Sequence, residues 1–299
     1  MTPKGWQRTW WRDSALGAEG SRRLAKGAVR FFESGQGEPV VFVHGALVNA
    51  NLWRKVVPLL AKKYRCITFD LPFGSHDHGL PAADVSLPGL ASLVADAIDE
   101  LGLIGTTIVA NDTGGAVAQL VVAQRPELIG RLVLTSSDAY TDCPPREYIP
   151  MKWIARVPGG LLALLTPLRL RALRRLPVAH GLLTRRPIDH RAADTYVLPA
   201  VLDKAVRNDL RRVLDGLQSR YTEAAARHFG RFTRPVLIAW SSEDRFCPIA
   251  NAHRLKRDFP NANLEWISDA YTFAPEDQPA KIAELVTHFI ESNALEVTS

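Results

Sequence analysis

Residues 107–120 read TIVANDTGGAVAQL. An apolar run suited to a strand meets small residues on either side of one aspartate, then continues with apolar residues at helical spacing. Where a strand turns straight into a helix, the two backbones pass so close that only small side chains fit, and the apex residue sits in strained backbone. Ala110, Gly114 and Gly115 supply those small positions around Asp112. The pattern predicts an elbow that presents the Asp112 carboxylate. The amide of Thr113 at the helix start and that of Ala46 after an earlier strand would form an oxyanion hole. An aspartate before a helix is also a good N-cap, but capping does not call for small residues on both sides.

Similar apolar runs recur along the chain. VRFF (29–32), PVVFV (39–43), RCITFD (65–70), TTIVAN (106–111) and RLVLTSS (131–137) read as strands, with helical stretches such as LPGLASLVADAIDELGL between them. Strand and helix in alternation predict an α/β fold with a mostly parallel central sheet covered on both faces. The rhythm breaks at Tyr140. From there to about residue 232 the chain is helical, Leu-rich and cut by prolines from Pro144 to Pro199, after which PVLIAW and LEWIS resume the alternation. The expected organisation is a core over 1–139, a helical insertion over 140–232 and the rest of the core over 233–299.

The formal net charge of +6 is concentrated in the insertion, where 16 Lys/Arg between Thr141 and Gly230 face 8 Asp/Glu. A uniformly basic chain would point to nucleic acid; a basic middle segment fits an anionic group on a small substrate or a solvated face. Cys66, Cys143 and Cys247 are scattered, and neither HxxxH nor CxxC spacing occurs, so neither disulfide nor metal is expected. HGALVNANLW is not a GxGxxG fingerprint, so no cofactor is expected either. No apolar window is long enough for a membrane span, and MTPKGWQRTWWRDSALG lacks a signal-peptide core, which reads as a cytoplasmic start. The expected partner is a small molecule; a homodimer stays open.

FVHGALVNANLW, ANDTGGAVAQ, the helical insertion and VLIAWSSEDRFCP together closely resemble the α/β-hydrolase fold superfamily, over roughly residues 29–291. The aspartate at the elbow places the resemblance near the epoxide hydrolase and haloalkane dehalogenase branch. It implies that the insertion is a cap, that Asp112 is the nucleophile, and that Asp244 is the acid that orients a catalytic histidine; an N-cap of the next helix is the plainer role for Asp244. At the position of that histidine the chain reads Ile267-Ser268-Asp269-Ala270-Tyr271-Thr272-Phe273, so Thr272 stands in its place.

That departure matters. A carboxylate can attack an epoxide, alkyl halide or ester and form a covalent ester, but hydrolysing the ester needs a base with a pKa near working pH. His76, in FDLPFGSHDHGLP, is the candidate substitute, with His78 expected to be exposed and His253 and His288 on solvent-facing helix positions. Asp138 lies near an alternative acid position of the fold, and Glu276 and Asp277 either point inward or cap the last helix. Ala46 and Thr113 stand where dehalogenases grip halide, which disfavours that chemistry. Tyr148, Tyr196 and Tyr221 fall in the insertion, and Tyr148, Tyr196 and Phe273 are the expected substrate contacts. Three readings remain: hydrolysis through an Asp112 ester, acid–base chemistry by Asp112 in a lyase, isomerase or cyclase, and non-catalytic binding.

Overall fold

The computed structural model describes residues 9–24, 27–177 and 179–294. The reading of the N-terminus as free of a signal rests partly on residues 1–8, which lie outside the described residues. Eight strands form one sheet: β1 (Ala18–Leu24), β2 (Gly27–Ser34), β3 (Pro39–Val43), β4 (Arg65–Asp70), β5 (Thr106–Asp112), β6 (Ile129–Ser137), β7 (Val236–Ser241) and β8 (Ala262–Ile267). Their order is β1-β2-β4-β3-β5-β6-β7-β8. β1 pairs with β2, and β2 with β4, antiparallel; every other pairing is parallel. β3, β5, β6 and β7 are almost wholly buried, as continuous apolar runs in a sheet covered on both faces should be. β1 has no counterpart in the sequence reading. AEGSRRL is an exposed edge strand without apolar alternation, so nothing in its side chains marks it as β.

The helices in chain order are α1 (Val57–Leu60), α2 (Leu87–Glu100), α3 (Thr113–Gln124), α4 (Tyr148–Arg156), α5 (Gly160–Leu165), α6 (His190–Leu202), α7 (Lys204–Gly216), α8 (Ser219–Ala226), α9 (Ile249–Asp258), α10 (Ala274–Asp277) and α11 (Pro279–Ser292). Ser86 caps α2 by accepting from the Gly89 amide at 3.3 Å, with Pro88 in the first turn. α2 packs on α3, and α11 on α1. Among the described residues, no helix is long and apolar enough to cross a membrane.

Helices α4–α8 fill the stretch between β6 and β7. Pro199 does not break the helix there, contrary to the reading of the prolines as cuts, but sits inside α6. A proline has no N–H to offer the carbonyl four residues back. That carbonyl, of Thr195, instead accepts from Asn49 Nδ2 at 3.1 Å, and the next one, of Tyr196, from Ser75 Oγ at 2.6 Å. The carbonyls around the proline thus become anchors that tie the insertion to the loops after β3 and β4.

Candidate active site

β5 ends in Asp112, whose φ of 55° and ψ of −133° lie outside the allowed regions for an L-residue. The space around it admits nothing larger than the sequence provides. A Cβ on Gly114 would lie 2.5 Å from the Val43 and His44 carbonyl oxygens, one on Gly115 2.0 Å from Ser137 Oγ, and one on Gly45 2.1 Å from Asp112 Oδ2. Leu47 after β3 and Ser136 near the end of β6 also have positive φ, of 56° and 28°. Strain therefore gathers at the carboxyl ends of three adjacent strands, where ligands bind in open parallel sheets.

The Asp112 carboxylate is fully buried and, among the described residues, neither oxygen has a hydrogen-bond partner. Burial pushes its pKa up to about 7, reinforced by Asp244; the amides of Thr113 and Ala46 face it and oppose the rise without reaching hydrogen-bond geometry. Asp138, just beyond β6, is equally buried. Its Oδ2 accepts from Thr113 Oγ1 at 2.9 Å while Oδ1 has no partner, and burial together with Asp112 raises its pKa well above the usual carboxylate range. An oxygen of each aspartate and Sγ of Cys247 all lie within 4.8 Å of one another. Burial also holds the Cys247 thiol protonated, far above its ordinary range.

Thr272, fully buried, donates through Oγ1 to Asp244 Oδ1 at 2.8 Å. The same oxygen accepts the amides of Phe246 and Cys247 at 2.9 and 2.8 Å. Asp244 thus closes its own turn rather than capping α9, which starts at Ile249 behind Pro248. Asn111 Nδ2 holds the Thr272 carbonyl at 2.8 Å, and Ser241 Oγ holds that of Tyr271 at 2.8 Å, so two strand ends fix the loop that carries the threonine.

A largely apolar cavity of about 340 Å³ is walled by Ala46, Leu47, Phe246 and Phe273 from the core and by residues of the insertion that include Tyr148, Met151, His180 and Tyr196. That volume suits a small ligand. Ala46 belongs both to this wall and to the pair of amides facing Asp112. The two tyrosines differ. Tyr196 donates to Glu276 Oε1 at 3.2 Å, whereas the buried Tyr148 hydroxyl has no partner. Burial, then Asp112 and Asp138, keep the Tyr148 phenol protonated. A second cavity of about 520 Å³ adjoins at His180 and is ringed by arginines. Most of these are already neutralised: Arg171 and Arg174 by Asp194, Arg185 by Glu243 and Asp269, and Arg186 by Asp269.

A family model described as the alpha/beta hydrolase fold matches residues 38–279. The chain belongs to this family. An uncharacterized hydrolase of Bacillus subtilis is 27% identical over 266 residues, which cover 85% of this chain and 90% of that protein. Among solved structures, an alpha/beta hydrolase fold protein from Burkholderia ambifaria superposes with a TM-score of 0.77 at 23% identity, covering 90% of this chain and 97% of the other. An epoxide hydrolase without ligand gives a TM-score of 0.77 at 20% identity, covering 92% and 99%. The two structures speak for the fold alone.

As a member of the α/β-hydrolase fold family, the chain holds its histidines in unexpected places. His76 faces Asp209 of α7, with Nε2 3.2 Å from Oδ2, and accepts the Gly74 amide at 3.3 Å. Both ring nitrogens are thus engaged, one by Asp209 of the insertion and one by the Gly74 amide, which gives His76 a role in joining core and insertion. His78 is half-buried rather than exposed, while His253 and His288 are exposed on α9 and α11. His44 is structural: Nε2 accepts the Leu71 amide at 2.9 Å, Nδ1 meets the Gly45 carbonyl at 2.8 Å, and burial lowers its pKa to about 4. Glu276 pairs with Arg54 and Lys55. Asp277 accepts the amides of Arg185, Arg186 and Tyr271 at 2.8, 2.9 and 3.1 Å. Both are therefore cross-braces. Sequence reasoning passed over His180, the one histidine in the cavity wall among the described residues, kept neutral by burial with a pKa of about 4. PVAHGLL carries no motif that marks it.

Proposed function

We propose that this α/β-hydrolase-fold chain is an enzyme that opens small, largely apolar epoxides. An Asp112 oxygen attacks the ring carbon, the carbon–oxygen bond breaks toward oxygen, and Tyr148 supplies the proton that oxygen takes up. The observation that carries this reading is the pairing of two buried, unpartnered groups, the Asp112 carboxylate at its strained elbow and the Tyr148 hydroxyl in the cavity wall. Charge that develops on the ester carbonyl would meet the Ala46 and Thr113 amides. The test is intact-protein mass and product analysis with styrene oxide and cyclohexene oxide, comparing wild type with Asp112→Ala. An added mass, or consumption of epoxide, in wild type alone supports the reading; equal behaviour of the two proteins removes it.

One observation favours a second reading. A carboxyl group with a pKa of about 7 is tuned to take and return protons at neutral pH, which suits an isomerase, lyase or cyclase that forms no ester. Turnover in heavy-oxygen water separates the two: label enters the Asp112 carboxylate only if an ester forms there and is hydrolysed.

A further inference from the structure

With Thr272 at the end of the loop after β8, the ester on Asp112 has no histidine beside it. The nearest ionisable groups are all acidic or neutral. Asp112 faces Asp244 and Asp138; Asp138 faces Asp112, Asp142 and Asp244. The thiols of Cys143 and Cys247 and the phenol of Tyr148 feel both aspartates, and Lys152 acts only on the Cys143 side. Among the described residues, no cation bonds either carboxylate.

Resting on the epoxide-opening reading, we propose that Asp112 and Asp138 share a single proton, and that Asp138 is the acid–base partner that does the work a histidine at position 272 would do. The two carboxylates have oxygens within 4.8 Å. Their relative position is fixed by the Asp138 amide, which donates to the Asp112 carbonyl at 3.2 Å, and by the Thr113 hydroxyl on Asp138 Oδ2. That leaves Asp138 Oδ1 and both Asp112 oxygens buried and, among the described residues, without a hydrogen-bond partner. Two carboxylates this close, away from water, do not both ionise; they titrate as a pair. Neighbouring carboxyl groups can divide the work in this way, one as nucleophile and the other as acid and base.

The cycle balances and returns the pair to its single proton. Asp112 begins as carboxylate and Asp138 as acid. When Asp112 opens the epoxide, the oxygen released takes a proton through the Tyr148 hydroxyl, which Asp138 replaces. Asp138, now a carboxylate, takes a proton from water as the hydroxide adds to Cγ of the Asp112 ester. Collapse expels the diol oxygen, which recovers that proton from Asp138, and Asp112 is left as the acid. The proton returns to Asp138 and the pair is restored.

The test has a part that needs no substrate. Isotope-edited infrared spectroscopy of Asp-labelled protein follows the protonated-carboxyl band against pH. Wild type is expected to keep one such band into the neutral range, and Asp138→Asn to shift its midpoint down as Asp112 loses the neighbouring charge. Thr113→Val is expected to shift it up by removing the donor to Asp138. An unchanged midpoint in both variants, with native melting curves, overturns the shared proton. If Asp138→Asn does not fold, Thr113→Val alone decides. With styrene oxide, Asp138→Asn is expected to accumulate an Asp112 ester whose release is at least ~100-fold slower than in wild type, and Asp138→Glu to recover part of the rate. Release at the wild-type rate overturns the acid–base role. No reaction with wild type removes the epoxide reading and the hydrolysis step with it, while the titration still decides the proton.

Discussion

Asp70 and Asp112 are each the last residue of a strand, β4 and β5, on either side of β3, and both are buried. Their surroundings are opposite. Asp70 Oδ2 accepts from Arg12 Nε and Nη2 at 3.1 and 2.6 Å, and Oδ1 from the Ala50 amide at 3.2 Å. Burial alone would raise its pKa, but Arg12, with His44 and Arg30, outweighs it and the net shift is down. Among the described residues Asp112 has no cation and no hydrogen bond, so burial prevails and the shift is up, to about 7. The same side chain in equivalent places is a closed structural joint in one case and a buried, unsatisfied carboxyl group in the other. A buried carboxylate is stable only when its lone pairs are satisfied; leaving Asp112 unsatisfied costs stability.

The largest effect expected from breaking this contrast is on activity. Asp112→Asn removes the reactive oxygen and is expected to lower epoxide turnover by at least ~1,000-fold, of the order that the loss of a covalent nucleophile costs. Its folded fraction should match or exceed wild type at neutral pH. Turnover in wild type is expected to rise as pH passes through about 7, where Asp112 ionises. A pH–rate profile of kcat/KM that is flat across that range would leave Asp112 without the nucleophile's role.

Next in size is the converse variant. Arg12→Ala leaves the buried Asp70 without its main partner, with Arg30 3.8 Å away, and leaves Asp77 to Arg30. Breaking a buried pair by removing one partner costs roughly 3–5 kcal/mol, and denaturant unfolding should show a loss of that order with the turnover of the remaining folded protein unchanged. The two aspartates also oppose each other in pH dependence. The raised pKa of Asp112 means that between about pH 4 and 7 the folded chain holds a proton the unfolded chain has lost, so stability falls as pH rises through that window. Asp70 is lowered, so its contribution is lost only in acid, below the ordinary carboxylate range. Unfolding free energies should therefore be higher at pH 5 than at pH 7.5, by on the order of 1–3 kcal/mol from Asp112, with Asp138, raised for the same reason, adding in the same sense; Asp112→Asn should remove its own part of that difference.

This contrast also explains what could be read in advance. The elbow was legible because close backbone approach dictates residue types at fixed spacing, as Gly114 and Gly115 show. The parallel strands were legible because burial on both faces demands unbroken apolar runs. Edge strand β1 was not, since nothing buries it. The fate of an individual polar side chain was least legible. His76, Glu276 and Asp277 had the chemistry of site residues but are consumed by Asp209, Arg54 and the backbone of residues 185–186, partners that lie 90 or more residues away in sequence. His180 and the closeness of Asp138 to Asp112 depend in the same way on how the chain folds back.

The smallest effect expected comes from placing a histidine at position 272. Thr272 is fully buried and its hydroxyl is one of three donors to Asp244 Oδ1. Thr272→His would put an imidazole between Asp244 and the ester, but in a space shaped for a smaller side chain, and overpacking a core typically costs about 1–3 kcal/mol. Asp244 Oδ2, now without a partner, could accept from the new ring. If Asp138 already serves as base, the gain in ester release should be under about 10-fold in an Asp138-intact chain, yet large in Asp138→Asn, where the imidazole would replace a missing base. Single-turnover release of the styrene oxide adduct in the four combinations measures this coupling. Independent, additive effects at the two positions would show that Asp138 and a residue at position 272 do not share one task.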